Sequence, residues 1–340
     1  MGQEAPCVSV LRGMAGDAIR MLKSRGMLRG DLRVESRGDE VLIPVVDQRV
    51  AVESLASGGI EARPCTAEFR QRRPRGPRLP PGISGYHLVG DIIVIHRRLG
   101  GPSMEEYRRA AEELLEFHRG SRAVYLKEDT WGEYRVQRLT LLAGSPGTVT
   151  VHKEYGLRFK VDVARAYFNP RLGFEHRRVA ERVSDGEVVL DMFTGVGGFA
   201  IHIASLRRAL VVAVDLNPVA AGLAAENVAL NKGRLRGRVV VVRADSSRLH
   251  EAFNPVFDRV IMNHPTLSHR FLWEACRLLR GPGVIHYYTL TTSCLDAEEE
   301  MREWLPGCCS LDEASLCRRV LDYNPSYSVY TLEARVTRRA

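Results

Sequence analysis

The chain has 340 residues, enough for two or three domains, and its 45% hydrophobic and 26% charged residues are typical of a globular protein. No run approaches the roughly 20 apolar residues of a membrane span, and the N-terminal segment lacks the features of a secretory signal. We therefore expect a cytoplasmic protein with no membrane partner. The net charge of +8 favours a polyanionic partner, although coding bias or a hot habitat would also enrich Arg, which makes up all but five of the 49 basic residues.

Seven cysteines are scattered along the chain without a paired spacing. An odd, scattered set is typical of a reduced intracellular protein, so we expect no disulfides. No CxxC or HExxH motif is present, and we predict no metal site.

Residues 1–68 alternate between short strands and two helices in the order βαββαβ, which is typical of a small ferredoxin-like α+β module. Nine basic and ten acidic residues leave this module almost neutral. Residues 69–82 follow with five Arg, four Pro and no acid. This composition predicts a basic linker without helix or strand, which is either a solvated tether or a path for a phosphate backbone.

Two further domains are predicted after the linker. Residues 83–168 contain several short strands and one amphipathic helix over MEEYRRAAEELLEFHRG, which indicates a middle α+β domain. Residues 169–340 alternate apolar strands with helices, the pattern of a doubly wound and mostly parallel α/β sheet. The last two strands are expected to form an antiparallel edge.

Polar residues follow four successive strands of this sheet, namely Asp191, Asp215, Asp245 and Asn263. Ligands of such sheets bind at the carboxyl ends of the strands, so we expect these residues to line one crevice. After Asp191 comes MFTGVGG, whose glycines allow a ligand to approach the backbone. A carboxylate at 215 suits ribose hydroxyls, and one at 245 suits an adenine amino group.

The pattern D-x-F-x-G-x-G, followed by an acid on the second strand, resembles class I S-adenosylmethionine-dependent methyltransferases. Two alternatives stay open. The glycines could form only a tight turn with Asp215 as a helix cap. A dinucleotide-dependent dehydrogenase is the other alternative, but its third glycine is absent and Phe199 follows instead.

Longer segments narrow the resemblance to one family. RFKVDVARAYFNPRLGFEHRRVA, VVLDMFTGVGGFAIHIA, AVDLNPVAAGLAAENVALNK, RVIMNHPTLSHRFLWEACRLL and GVIHYYTL are similar to the archaeal and eukaryotic tRNA (guanine-37 N1)-methyltransferases. WGEYRVQRLTLLAG and TVTVHKEYG extend the similarity upstream. The resemblance implies S-adenosylmethionine as cofactor, tRNA as partner, and methylation of N1 of the guanosine 3′ of the anticodon. It also implies that residues 1–68 dock the tRNA.

The resemblance also assigns roles to individual residues. Glu175 is implied as general base, Arg135 as the group holding guanine O6, and Asn263 as the residue positioning the base edge. Arg171 would support the catalytic Glu and phosphates, and Pro265 would contact the base. Tyr167 is the candidate aromatic that stacks on the base, which would offset the lack of an aromatic after Pro265. The implied cofactor-binding residues are Asp191, Phe193, Gly195, Gly197, Asp215, Leu216, Asp245 and Asn263. Chemistry favours the pair at 175 and 135, because guanine N1 carries a proton that must leave and O6 then gains negative charge. Considered separately, Glu175 could be only a carboxylate at the start of a helix, and Arg135 only a charge on the surface of a strand. Their occurrence together favours the catalytic roles.

One loop departs from the family pattern, since Asn263-His264-Pro265 stands where the family commonly has Asn-Leu-Pro or Asn-Pro-Pro. Thr266 follows it, so the loop also lacks the aromatic that follows Asn-Pro-Pro in enzymes that methylate planar nitrogens. His264 is either a neutral surface replacement or a change that shapes the pocket for a second acceptor. Two alternative functions therefore stay open. One is a wyosine-pathway enzyme that methylates or transfers an aminocarboxypropyl group at the same nucleotide, and the other is a non-catalytic tRNA-binding relative. We expect a monomer.

Overall fold

The computed structural model describes residues 2–71, 76–77, 79–83, 85–98, 100–131 and 136–338. The chain divides into two compact units, Met1–Pro77 and Arg78–Ala340. Among the described residues, no helix is long and apolar enough to cross a membrane.

The first unit is a four-stranded antiparallel sheet with two helices. Its elements are β1 Gly2–Leu11, α1 Ala15–Ser24, β2 Glu35–Arg37, β3 Glu40–Pro44, α2 Gln48–Ala56 and β4 Arg63–Arg70. The strand order β2-β3-β1-β4 confirms the predicted ferredoxin-like module. The linker was predicted two residues too early, because buried Phe69 pairs with Gln3 and keeps β4 in the sheet as far as Arg70. Arg72, Arg73, Arg75 and Arg78 of the predicted linker lie outside the described residues.

The second unit begins with two small sheets and a helix. Its first elements are β5 Tyr86–Val89, β6 Ile92–His96, α3 Met104–Phe117, β7 Ala123–Trp131, β8 Val136–Gly144, β9 Val149–Glu154 and β10 Leu157–Asp162. Helix α3 starts with a capping box between Ser103 and Glu106 and buries one apolar face against β7 and β8. Strands β5–β8 form one sheet in sequential order, and β9 pairs with β10.

A seven-stranded sheet dominates the rest of the second unit. Its elements are α4 Gly173–Arg182, β11 Val188–Asp191, α5 Gly198–Leu206, β12 Leu210–Asp215, α6 Pro218–Leu230, β13 Arg238–Arg243, β14 Phe257–Met262, α7 Leu272–Leu278, β15 Leu279–Thr291, α8 Cys294–Trp304, β16 Cys309–Asp322 and β17 Ser328–Arg338. The order is β13-β12-β11-β14-β15-β17-β16, with β17 antiparallel to both of its neighbours. The predicted doubly wound sheet with an antiparallel end is thus confirmed.

One hydrophobic cluster joins the two parts of the second unit. It packs Val89, Ile92 and Tyr125 of the small sheet with Phe159 of β10 and with Ile201 of α5, which covers the large sheet. The predicted domain boundary at residue 168 therefore marks a change in the pattern of strands, but the residues on its two sides share one hydrophobic core.

Four cysteines are paired, contrary to the expectation of reduced thiols. Cys7 and Cys65 face each other across β1 and β4, and Cys294 at the start of α8 bonds Cys317 on β16. The partners lie 58 and 23 residues apart, so only the folded sheet brings them together.

Candidate active site

The carboxyl ends of β11–β14 meet at one edge of the large sheet, and a cavity of about 270 Å³ opens there. This edge is where open α/β sheets bind ligands. The cavity brings together nine of the predicted site residues: Tyr167, Arg171, Phe193, Gly195, Asp215, Leu216, Asp245, Asn263 and Pro265.

The loop after β11 depends on glycine at two positions. Gly195 and Gly197 have φ values of +56° and +94°, which favour glycine over other residues. A Cβ on Gly197 would also lie 2.9 Å from Cδ1 of Ile201. Gly197 caps α5 rather than lining the cavity, while the Gly195 N–H donates to Oδ2 of Asp215 over 2.7 Å.

Asp215 is held at the end of β12 by two backbone donors. Besides Gly195, the Asn217 N–H donates to its Oδ1 over 2.9 Å, just before Pro218 starts α6. Burial raises the pKa of this carboxyl, whereas the two backbone bonds act against the rise. The fixed carboxylate at the cavity wall suits a ligand that carries paired hydroxyls.

Asp191 lies beneath the cavity rather than in its wall. It is fully buried, and its Oδ2 accepts a hydrogen bond from the Thr194 hydroxyl over 2.7 Å. Among the described residues, Oδ1 has no hydrogen-bond partner, and burial raises the pKa of the carboxyl to about 7. An unpaired polar oxygen next to the glycine loop, together with the carboxylates at 215 and 245, fits the nucleoside and amino-acid parts of S-adenosylmethionine.

The loop after β14 is anchored on both sides. The Ser268 hydroxyl donates to the Met262 carbonyl over 2.7 Å, and the Leu290 N–H donates to the Pro265 carbonyl over 3.0 Å. His264 lines the cavity and packs edge-on against Phe193, with ring centroids 5.2 Å apart. His264 therefore shapes the pocket wall instead of replacing a residue on an open surface.

Glu175 lies in a buried ionic cluster, and the described residues that line the cavity do not include it. Only 2% of the residue is exposed. Its Oε1 accepts from Arg178 Nη2 (2.8 Å) and from the Tyr288 hydroxyl (2.7 Å), and its Oε2 accepts from Arg178 Nε (2.9 Å). Burial favours the neutral acid, but Arg178, Tyr288 and Arg318 together outweigh it and leave the pKa of Glu175 below its ordinary value.

A second arginine reaches Glu175 from the solvent side. Nη1 of Arg318, on β16, lies 3.3 Å from Oε2, and the guanidinium also sits 5.2 Å from the centroid of the exposed Phe174 ring. About a third of the Arg318 side chain is exposed, against 12% for Arg178. Arg318 is therefore the donor that a ligand can displace with least disruption.

Of the remaining predicted residues, two lie at the cavity and one lies outside the described part of the chain. Tyr167 and Arg171 line the cavity. Asn169 caps the single helical turn Pro170–Leu172, because its side chain accepts the Arg171 N–H over 3.1 Å. Arg135 lies outside the described residues, as does its segment 132–135.

Two groups were not predicted from the sequence. Leu321, Asp322 and Tyr323, from the end of β16, complete one wall of the cavity. Glu154, His176 and His202 also form a buried cluster, in which one Glu154 oxygen lies 2.9 Å and 3.1 Å from the two rings. These three come from β9, α4 and α5, and no motif or spacing signals their contact.

Comparisons with known proteins agree with this geometry. Residues 150–308 match the model of the TRM5/TYW2 methyltransferase domain. The tRNA (guanine(37)-N(1))-methyltransferase Trm5b of Pyrococcus abyssi is 35% identical over 283 residues, covering 79% of each chain. The chain belongs to the archaeal and eukaryotic tRNA (guanine-37 N1)-methyltransferase family.

Solved structures of the family extend the match to the whole chain. The crystal structure of Trm5b from Pyrococcus abyssi superposes with a TM-score of 0.71 at 31% identity, covering 98% of this chain and 99% of that one. A complex of aTrm5 with tRNALeu superposes with a TM-score of 0.66 at 28% identity, covering 97% and 99%. The predicted class I methyltransferase fold, preceded by smaller α+β parts, is confirmed. The matched domain contains Glu175, Asp215 and Asn263 but ends before β16.

Proposed function

We propose that the protein methylates N1 of guanosine 37 in tRNA with S-adenosylmethionine as methyl donor. One observation carries this proposal. Asp215, a carboxylate suited to bind ribose hydroxyls, lines the same cavity as Asn263 and Pro265, which are suited to bind the edge of a base. The family relationship supports the same reaction.

The cavity residues at the carboxyl ends of β11–β14 would hold the cofactor. Asp215 accepts the ribose hydroxyls, Asp245 faces the adenine, and Phe193 with Leu216 supplies apolar walls. When bound, S-adenosylmethionine supplies an electrophilic methyl group. The guanosine has to leave the anticodon-loop stack before it can enter the cavity.

Glu175 is proposed as the general base. Its carboxylate accepts the proton that leaves N1 as the N1–methyl bond forms. Because four donor atoms occupy both oxygens, Glu175 must first exchange a donor for the substrate, and the more exposed Arg318 is the one to move. Arg135 is proposed to stabilise charge on O6, Asn263 to position the base edge, and Arg171 to bind phosphate.

The proposal extends to tRNA docking and to the oligomeric state of the protein. We propose that the ferredoxin-like unit docks the tRNA body, and that the enzyme works as a monomer in the cytoplasm. Light scattering of the purified protein alone and with tRNA tests the monomer, since one chain should bind one tRNA.

Product mapping tests the reaction directly. The protein, unmodified tRNA transcript and labelled S-adenosylmethionine should yield 1-methylguanosine at position 37, and a transcript with adenosine at 37 should stay unlabelled. An aminocarboxypropyl adduct, or label at another nucleotide, would contradict the proposal. Binding of tRNA without cofactor affinity would instead indicate a non-catalytic relative.

A further inference from the structure

The hairpin between β16 and β17 contributes residues to the lining of the cavity. β17 is antiparallel to both β15 and β16, so β16 runs parallel to the central strands. Its carboxyl end therefore arrives at the same sheet edge as the ends of β11–β14. Arg318 on this strand contacts Glu175, and four residues later Asp322 lines the cavity.

Tyr323 presents a large aromatic surface at this cavity wall. It lines the cavity, and 59% of the residue is exposed. The turn that carries it is fixed, because the Asn324 side chain accepts the Ser326 and Tyr327 N–H groups, and the Tyr323 N–H donates to the Tyr327 carbonyl over 3.1 Å. An exposed aromatic on a fixed turn beside a pocket is suited to stacking on a planar ligand.

Tyr323 supplies an aromatic ring that the loop after β14 lacks. In Asn263-His264-Pro265-Thr266, Thr266 stands where enzymes acting on planar nitrogens place an aromatic, and Thr266 also lines the cavity. Tyr323 lines the same cavity from another element, so the aromatic face is present although the motif lacks it.

Asp322 adds an acceptor beside that face. Its Oδ1 lies 3.1 Å from Arg319 Nη1 in a pair whose side chains are both more than half exposed. Such exposed pairs are worth little, so the carboxylate is available to a stronger partner. The Watson–Crick edge of guanine offers two donors, N1–H and the 2-amino group, and carboxylates accept such donors from bases.

We propose that Tyr323 and Asp322 form the base-positioning subsite of this enzyme: Tyr323 stacks on the flipped guanine, and Asp322 accepts a hydrogen bond from its 2-amino group. Glu175 is then left to take the N1 proton. This inference rests on the proposed function and adds the element that discriminates guanine.

Methylation kinetics on two transcripts test the subsite, one with guanosine and one with inosine at position 37, since inosine lacks only the 2-amino group. The wild type should prefer guanosine by about tenfold in kcat/KM, the value of one good base contact. Asp322→Ala should lose about tenfold on guanosine and nothing on inosine. Equal losses on both transcripts, or none, would overturn the role of Asp322.

Tyr323→Ala should lower kcat/KM on both transcripts by roughly tenfold or more, the range of one base–aromatic stack, and Tyr323→Phe should restore it. Tyr327→Ala is the matched control, because Tyr327 is 45% exposed on the same hairpin but is absent from the described residues lining the cavity. A loss in Tyr327→Ala equal to that in Tyr323→Ala would overturn the stacking role.

Calorimetry with S-adenosylhomocysteine should give unchanged affinity in every hairpin variant; a loss there would assign the hairpin to the cofactor and overturn the inference. If the wild type itself makes no 1-methylguanosine at position 37, the proposed function fails, and that result is distinct from a failure of the subsite alone.

Discussion

Arg178 forms a bidentate ion pair with Glu175, in which Nε donates to Oε2 over 2.9 Å and Nη2 donates to Oε1 over 2.8 Å. The same guanidinium lies 3.3 Å from Glu333 on β17, so the base proposed for methyl transfer is tied to the antiparallel end of the sheet. This bidentate pair keeps Glu175 ionised despite its burial, and a general base has to be ionised to accept a proton.

Glu175→Gln should reduce kcat by about 10²- to 10⁴-fold, the usual contribution of a general base, without changing the affinity for S-adenosylhomocysteine. Single-turnover methylation and calorimetry measure the two quantities. Glu333→Gln is the control, since it also deprives Arg178 of a carboxylate but leaves the proposed base intact. Unchanged turnover in Glu175→Gln, or an equal loss in Glu333→Gln, would remove the base assignment.

Tyr288→Phe should move the acidic limb of the kcat/KM pH profile to higher pH. The Tyr288 hydroxyl donates to Oε1 of Glu175 and stabilises its charged form, so its loss raises the pKa of the base. Tyr287→Phe is the neighbouring control, because the Tyr287 hydroxyl bonds Glu300 instead. A shift towards lower pH, or the same shift in both variants, contradicts the coupling.

The sequence predicted those features that depend on local pattern. The apolar strands β11–β15 and the order of strands and helices in the first unit were visible because burial imposes a period on the residues. Seven of the nine predicted site residues in the cavity meet there because parallel strands place their carboxyl ends together, while Tyr167 and Arg171 come from the segment before α4.

What the sequence did not reveal are contacts between distant elements. Tyr288 on β15 and Arg318 on β16 converge on Glu175 of α4, and no spacing marks either contact, whereas Arg178 is its i+3 neighbour on the same helix. The hairpin with Asp322 was predicted only as strands, since its place at the cavity follows from the position of β17 between β15 and β16.

Asp215→Ala should weaken binding of S-adenosylhomocysteine by about 10- to 100-fold, because hydrogen bonds to a charged group are worth roughly 1.5–3 kcal/mol. Isothermal calorimetry measures the change. Glu226→Ala removes a carboxylate from α6, where it pairs with Lys160 outside the cavity, and should leave the affinity unchanged. Equal affinity in Asp215→Ala and wild type would exclude the ribose role.

The Cys294–Cys317 disulfide should stabilise the hairpin end of the sheet. Replacing both residues with Ser should lower the free energy of unfolding by about 3 kcal/mol, because the bond closes a chain loop between residues 23 apart. Thermal unfolding measures the loss, and Cys308→Ser, at a free and partly buried thiol, is the control. Thiol titration of the denatured, unreduced protein should find three free cysteines; seven would contradict both disulfides.

Asp191 should make a contribution to stability that falls as pH rises from about 4 to 7. Its pKa is raised by burial from 3.8 to about 7, so between these values the folded chain binds a proton that the unfolded chain has released. The Asp191 contribution to the free energy of unfolding should drop by on the order of 4 kcal/mol across that range and level off above pH 7, while buried histidines such as His286, whose pKa burial lowers, contribute in the opposite direction. Urea titrations of the cofactor-free protein at several pH values measure the slope.

Asp191→Asn removes the titrating group while keeping the acceptor for the Thr194 hydroxyl, so the difference in free energy of unfolding between the wild type and this variant should fall over the same pH range. Asp185→Asn, at an exposed carboxylate on the loop before β11, should keep the slope of the wild type. A difference that does not change with pH would exclude Asp191 as the titrating group, whereas a difference that falls over this range would show that burial holds its carboxyl protonated below about pH 7.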